Sequence, residues 1–348
     1  MSLMLKLGVV GIAAGVGGLA SLSQLADIRG SVSSGMEMPS LAGLAGLVGI
    51  GASAVGSGGP VDQTFSVQRV HIDGLVAQVE IVTAPQGPVR VQASGTPETL
   101  KEFHVRAVGD EVIIRLDSAE EEAWFPWNLF NMWSRDRKAQ DLKVRISAPL
   151  GTPYDIEDMI GSISAGDLDA PLRLDGHALT ARFGRVQSAK VGILGSGRIA
   201  LGAIAETLDL EVAGSGRFEA ASAAAAQVDI AGGGDVIIGP LSGGFSADVA
   251  GSGDVRVARV NGPVDIDIAG SGGIVIDGGR ATSFDVEIAG SGDVVFKGEA
   301  VNPNVEILGS GSVKVASYSG TLKQEIAGSG EFEVMNHGPQ PPAPPTHP

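Results

Sequence analysis

Apolar and polar positions alternate with a period of two through the second half of the chain, and one recurring corner interrupts the alternation at regular intervals. The tripeptide Gly-Ser-Gly begins at Gly195, Gly214, Gly251, Gly270, Gly290, Gly309 and Gly328, with Gly-Gly-Gly at Gly232, and successive starts fall 18 to 20 residues apart. Two residues before each start stands a β-branched residue: Ile193, Val212, Ile230, Val249, Ile268, Ile288, Ile307 and Ile326. Four and six residues after it the columns are apolar again, from Ile199 and Leu201 in the first copy to Phe332 and Val334 in the last. Alternation on both sides of a glycine corner predicts strand, turn, strand; a helical period of 3.6 does not fit these columns.

A unit of ~19 residues cannot bury its own apolar face, but stacked copies bury one another. The predicted fold is therefore all-β, a parallel β-helix in which equivalent residues pile up about 4.8 Å apart, aliphatic on aliphatic inside and serine on serine at the corner. The expected role of the glycines on both sides of the serine is to supply positive φ, which β-branched residues tolerate poorly.

Upstream, strand-like stretches at residues 64–72, 76–82, 88–92, 103–107, 112–116 and 142–147 are separated by Gly74, Gly87, Pro88, Gly95, Pro97, Gly109 and Pro149. Coils without the full motif follow, around Gly161 and Gly176. The chain thus divides into an apolar, small-residue-rich segment at 1–59, expected to be helical; a strand-rich leading region at 60–150; the β-helix at 151–335; and a proline-rich tail at 336–348 too rich in proline to fold. The leading region either continues the rod irregularly or caps its N-terminal end, where unpaired backbone groups need cover. Within it, 118–140 carries every tryptophan of the chain. Trp124, Phe125, Trp127, Phe130 and Trp133 form either a plug over the end of the rod or an exposed knob that docks to a partner or a membrane interface.

Composition narrows the chemistry. The chain has 348 residues, 52 of them glycine, no cysteine, and a formal charge of −16. Absence of cysteine excludes a disulfide scaffold, zinc–thiolate sites and thiol catalysis. The acidic balance argues against non-specific nucleic-acid binding, which needs an excess of cations. Seven of the 40 acidic residues lie in one column, three residues before the corner: Glu211, Asp229, Asp248, Asp267, Glu287, Glu306 and Glu325. One reading is a solvated stripe that keeps the rod soluble and discourages lateral association. The other is a ladder for calcium, with Asp229, Asp248, Asp267, Glu287 and Glu306 as candidate ligands, since oxygen donors suit that ion. No cofactor is otherwise expected.

His71, His104, His177, His337 and His347 show no metal-ligand spacing. The bases Arg198, Arg217, Arg256, Arg259 and Arg280 are scattered, so no acid–base pair stands out and no catalytic residue is assigned. At the start of the chain, residues 3–20 form an apolar run whose only charge is Lys6, with the look of a secretory signal or a retained anchor. A second run at 41–55 is as rich in small residues, so the two suit a helical hairpin in a membrane or a subunit contact.

The repeat at 264–274 and 284–294, with the leading strands at 64–72, 76–82 and 142–149, resembles the bacterial domain family of unknown function known as the putative autotransporter adhesin, head GIN domain. The resemblance spans residues 61–335 and implies a bacterial envelope protein with a β-helical domain behind an export signal or anchor. It carries no catalytic residues. The tryptophan-rich insert and the long small-residue N-terminal segment depart from the family pattern. The resulting expectation is a non-enzymatic, exported or membrane-anchored protein of the periplasm or cell surface, an adhesive or structural module. Its partners would be a cell-envelope component or other copies of itself. The alternatives are a self-assembling structural protein, joined head to tail and in that case cytoplasmic, and a carbohydrate-active β-helix enzyme.

Overall fold

The computed structural model describes residues 53–55, 58–116 and 141–335. They form a β-solenoid of about 10 turns with coils of ~19 residues, as the repeat predicts. The apolar run at 3–20, the residues 41–52 of the second run, the tryptophan-rich insert and the tail from 336 lie outside the described residues. Ser53–Val55, the last three residues of the second run, form a strand antiparallel to Phe103–Val108, with Ser53 opposite Arg106. A helix through the whole of 41–55 is thus corrected: the backbone N–H and C=O groups of its end are spent on a sheet. No helix among the described residues is long and apolar enough to cross a membrane.

Each coil contributes one strand before the corner and one after it, to two parallel sheets. In the first sheet Val191, Leu210, Val228, Ala247, Ile266, Val286 and Val305 lie in register, coil upon coil. In the second, Ile199, Phe218, Val236, Val255, Ile274, Val294 and Val313 do the same. Val186, Ile204, Ala223, Leu241 and Val260 line a short third side and are buried. The apolar columns face each other across the interior, where Phe284 and Phe296 stack at 5.4 Å between ring centroids.

The corner explains why glycine recurs on both sides of the serine, and the two glycines act for different reasons. The first has φ from +114° at Gly195 to +139° at Gly270, a region that L side chains rarely adopt. Its carbonyl also accepts the N–H of the next coil's second corner residue: Ser252 donates to Gly232 and Ser271 to Gly251, each at 2.8 Å. The third glycine has no such φ. From Gly216 onward it is held to glycine by the β-branched residue and a backbone carbonyl of the coil before, which leave no room for a Cβ. Positive φ on both sides of the serine, the expectation from sequence, holds for the first glycine alone.

Toward the N-terminus both sheets continue beyond the repeats. Arg69–Asp73 and Val76–Ala84 form a coil that stacks parallel on Tyr154–Ala165, with Val70 opposite Tyr154 and Val76 opposite Ile160. On its other side lie Glu111–Leu116 and Lys143–Pro149, also parallel. Antiparallel strands finish this end: Phe103–Val108 against Glu111–Leu116, and Val61–Phe65 against Val89–Ser94, which pairs in turn with Lys143–Pro149. A short helix, Pro97–Glu102, joins two of them; Thr96 caps it by accepting the Thr99 N–H.

Candidate functional site: an acidic ladder and a charged groove on one sheet

The outward face of the first sheet carries the acidic column. Parallel pairing in register places Glu211, Asp229, Asp248, Asp267, Glu287, Glu306 and Glu325 one per coil. These side chains alternate with the buried aliphatic positions, so the strands that seal the core also fix the array. Burial pushes the carboxyl groups of Asp229, Asp248 and Asp267 above the ordinary carboxylate range. The next acid in the column adds to the rise: Asp248 for Asp229, Asp267 for Asp248, and Glu287 for Asp267. Asp265, on the same strand as Asp267, presses in the same direction. The five candidate calcium ligands are thus brought together as neighbours on a line. Among the described residues, no group of three or more His, Asp or Glu side chains converges so as to hold a metal ion.

At the N-terminal end of the same face the charges become mixed. Arg173 lies 3.6 Å from Asp155, 3.4 Å from Glu157 and 3.2 Å from Asp175, while His71 Nδ1 is 3.7 Å from the other Asp155 oxygen. Asp155 Oδ1 is buried and accepts no hydrogen bond within the described residues. An open groove of about 450 Å³ runs beside this cluster, lined by Arg69, Tyr154, Asp155, Arg173, Lys190 and Asp209 among others. Lys190 holds Asp209 at 2.8 Å, and burial raises the Tyr154 phenol above its ordinary value. Sequence reasoning missed this groove. Lys190 and Asp209 occupy one column of the repeat, but Arg69 and Asp155 come from coils without the Gly-Ser-Gly marker. Only the pairing of Arg69–Asp73 with Tyr154–Ala165 brings them alongside.

Of the bases that looked scattered along the chain, Arg217, Arg256 and Arg280 find acids one coil away. Arg280 pairs with Glu299 at 3.1 Å and Lys314 with Glu333 at 2.9 Å, each a separation of one repeat. Arg256 and Lys297 both reach Asp277, at 2.6 and 2.8 Å. All lie at the surface, where solvent screening leaves such pairs little net weight. Trp124, Phe125, Trp127, Phe130 and Trp133, the expected docking residues, lie outside the described residues.

These features define the class: a two-sheet β-solenoid with a closed aliphatic interior and a charged, repetitive outer face. The model of the family "Putative auto-transporter adhesin, head GIN domain" matches residues 77–259 and 258–337, and the chain belongs to that family. Among solved structures it is similar to a putative adhesin from Parabacteroides distasonis, at 16% identity and a TM-score of 0.35 over 80% of this chain and 98% of that one. It is similar also to a putative adhesin from Bacteroides fragilis, at 14% identity and a TM-score of 0.35 over 80% and 98%. A putative lipid binding protein from P. distasonis gives 14% identity and a TM-score of 0.37 over the same shares. No curated protein matches the sequence.

Proposed function

We propose that this chain is a non-enzymatic module of the bacterial envelope, exported or membrane-anchored through the apolar run at residues 3–20, that makes adhesive contacts with the outward face of its first sheet. The in-register face carries this reading. Its side chains are fixed by strands whose other side is core, so they are presented in a rigid array without the ordering cost that a mobile loop would bring. Flat repetitive presentation suits a repetitive or extended partner, because many weak contacts add along the rod. Membership of the adhesin-head family supports the same assignment.

Cell fractionation and surface labelling test the localisation: the chain is expected in the envelope fraction, and a purely cytosolic chain overturns the proposal. Binding of whole cells or envelope fragments to the immobilised full-length chain tests adhesion. Reversing the face charge at Asp265, Asp267 and Glu287 should change that binding, while reversing Arg280 on the same rod should not. Turnover of any member of a broad glycan panel would replace the adhesive reading with an enzymatic one.

A further inference from the structure

The two ends of the solenoid are finished differently. At the N-terminal end antiparallel strands close the stack, whereas at the C-terminal end no described strand lies beyond Lys323–Gly328 in the first sheet or Glu331–Val334 in the second. The inward column that is almost fully buried elsewhere (Ile268 at 2%, Ile288 at 2%, Ile307 at 1%) ends in Ile326 at 36% exposure. Met335 is exposed, and Phe332 and Val334 are only partly buried. Backbone groups are left open as well. Inward residues of the first sheet give their N–H to the coil that follows, as Leu172 does to Ser188 and Ala226 to Gly244. The corresponding groups in the last coil belong to Leu322, Gln324 and Ile326. A row of open N–H and C=O groups is a template for another strand.

The sequence of that edge says what fits it. Gln324 stands in an inward column that holds Val, Leu, Ala or Ile in the coils from Val191 to Val305, so this coil is built to end differently. Around Gln324 the order is Leu322, Lys323, Gln324, Glu325, Ile326: apolar, cation, amide, anion, apolar. Such a strand is complementary to itself in the antiparallel sense. About a twofold axis at Gln324, Lys323 of each copy faces Glu325 of the other on the outside, Leu322 faces Ile326 on the inside, and the two Gln324 amides meet. Leu322, Gln324 and Ile326, whose N–H and C=O groups face the open edge, then form the hydrogen-bonded pairs, and Lys323 and Glu325 the pairs between them. A shift of the axis to Glu325 would set two like charges together. The N-terminal strand Val61–Phe65 offers no cation for Glu325, and its Asp62 is already held by Arg90 at 2.6 Å. Residues 336–348 carry proline at 339, 341, 342, 344, 345 and 348, and proline has no N–H to donate to an edge. In the second sheet, Lys314 neutralises Glu333, which lowers the charge at the adjoining edge.

We infer that the C-terminal end of this solenoid docks on the same end of a second copy of the chain, edge strand to edge strand, and that Lys323 and Glu325 set the register. This goes beyond the adhesive reading and does not depend on what the face binds. It yields a closed pair with both N-terminal ends outward, not the open head-to-tail polymer that a stacked repeat first suggests.

Sedimentation of the full-length chain tests it. The wild-type chain is expected to dimerise; Lys323→Glu and Glu325→Lys should each weaken the dimer at least tenfold, since symmetry turns each change into two like-charge contacts. The double variant Lys323→Glu with Glu325→Lys should restore it, and an equal mixture of the two single variants should form a mixed dimer. Both positions are exposed, so unchanged circular dichroism separates loss of pairing from loss of fold. Because the chain contains no cysteine, Gln324→Cys offers a second readout: mild oxidation should link two chains at the axis, while Leu308→Cys, one coil back, should link them far more slowly. A monomeric wild-type chain, a head-to-tail polymer, a dimer indifferent to Lys323→Glu, or a dimer that appears only when residues 336–348 are removed would each overturn the inference.

Discussion

Gly253 sits directly on Ile230 of the preceding coil: a Cβ on Gly253 would stand 2.7 Å from Ile230 Cγ2 and 3.0 Å from the carbonyl oxygen of Gly234. Both obstacles belong to the rod itself, one a β-branched core residue and the other backbone, so neither can swing aside. Gly253→Ala should therefore destabilise the chain by about 1–3 kcal/mol, the usual cost of overpacking. Ser252→Ala, one residue away with an exposed side chain, should stay within about 0.5 kcal/mol of wild type. Urea denaturation of the two variants checks the contrast, and equal effects would show that the corner is not packed as described.

Ile268 is 2% exposed and lies between Val249 and Ile288 in the inward column. Ile268→Asp places a carboxylate there without a partner, at a cost on the order of several kcal/mol. Since each coil touches only its neighbours, the damage should divide the rod rather than melt it evenly. Hydrogen exchange read by mass spectrometry should show protection lost around residues 249–290 and kept in the coils near Val191. Uniform retention of protection would contradict the burial of this column.

The repeats were legible because the register is written into the chain: one β-branched residue, one corner and two apolar positions recur in each copy, and only stacking buries them all. Upstream of them most strands were legible, but their partners were not. Val70 pairs with Tyr154 and also with Val112, partners far away in sequence and unmarked by any motif, and local alternation cannot select between such pairings. The groove beside Arg173 was hidden for the same reason. Corner glycines were identified correctly as structural, but a sequence shows only that glycine is required. Whether φ or lack of room requires it, as at Gly251 and Gly253 respectively, becomes visible once the neighbouring coil is in place.

Asp248 makes the acidic ladder responsive to pH. Burial, and Asp267 beyond it, raise its carboxyl above the value it has in the unfolded chain, while its bond to Asp229 works the other way. Asp265 also faces it, and Asp229 and Asp267 are themselves raised. A folded value above the unfolded one means that the native chain holds more protons, so stability is lost as pH rises from the ordinary carboxylate range through the raised value. Asp62, Asp169 and Asp277, paired with cations, are lowered and oppose this trend in the chain as a whole. The ladder's share is therefore read by difference. Asp248→Asn should gain on wild type as the pH of a denaturation series is raised through that window, and should show no gain below it. A constant offset at every pH would remove titration from the account.

Asp267→Asn separates the two readings of the ladder. Calcium takes about six to eight oxygen ligands around one centre, whereas a column with coils about 4.8 Å apart offers each ion little more than the two carboxylates flanking it. Cations should therefore gather along the face as a diffuse atmosphere that relieves repulsion between neighbours, and such screening depends on ionic strength more than on the identity of the ion. Thermal midpoints in calcium and in magnesium should coincide, and sodium at matched ionic strength should recover most of the same rise. Replacing Asp267 should leave the fold intact and reduce the response to all three salts alike. A rise specific to calcium, abolished by Asp267→Asn, would instead establish the column as a calcium site.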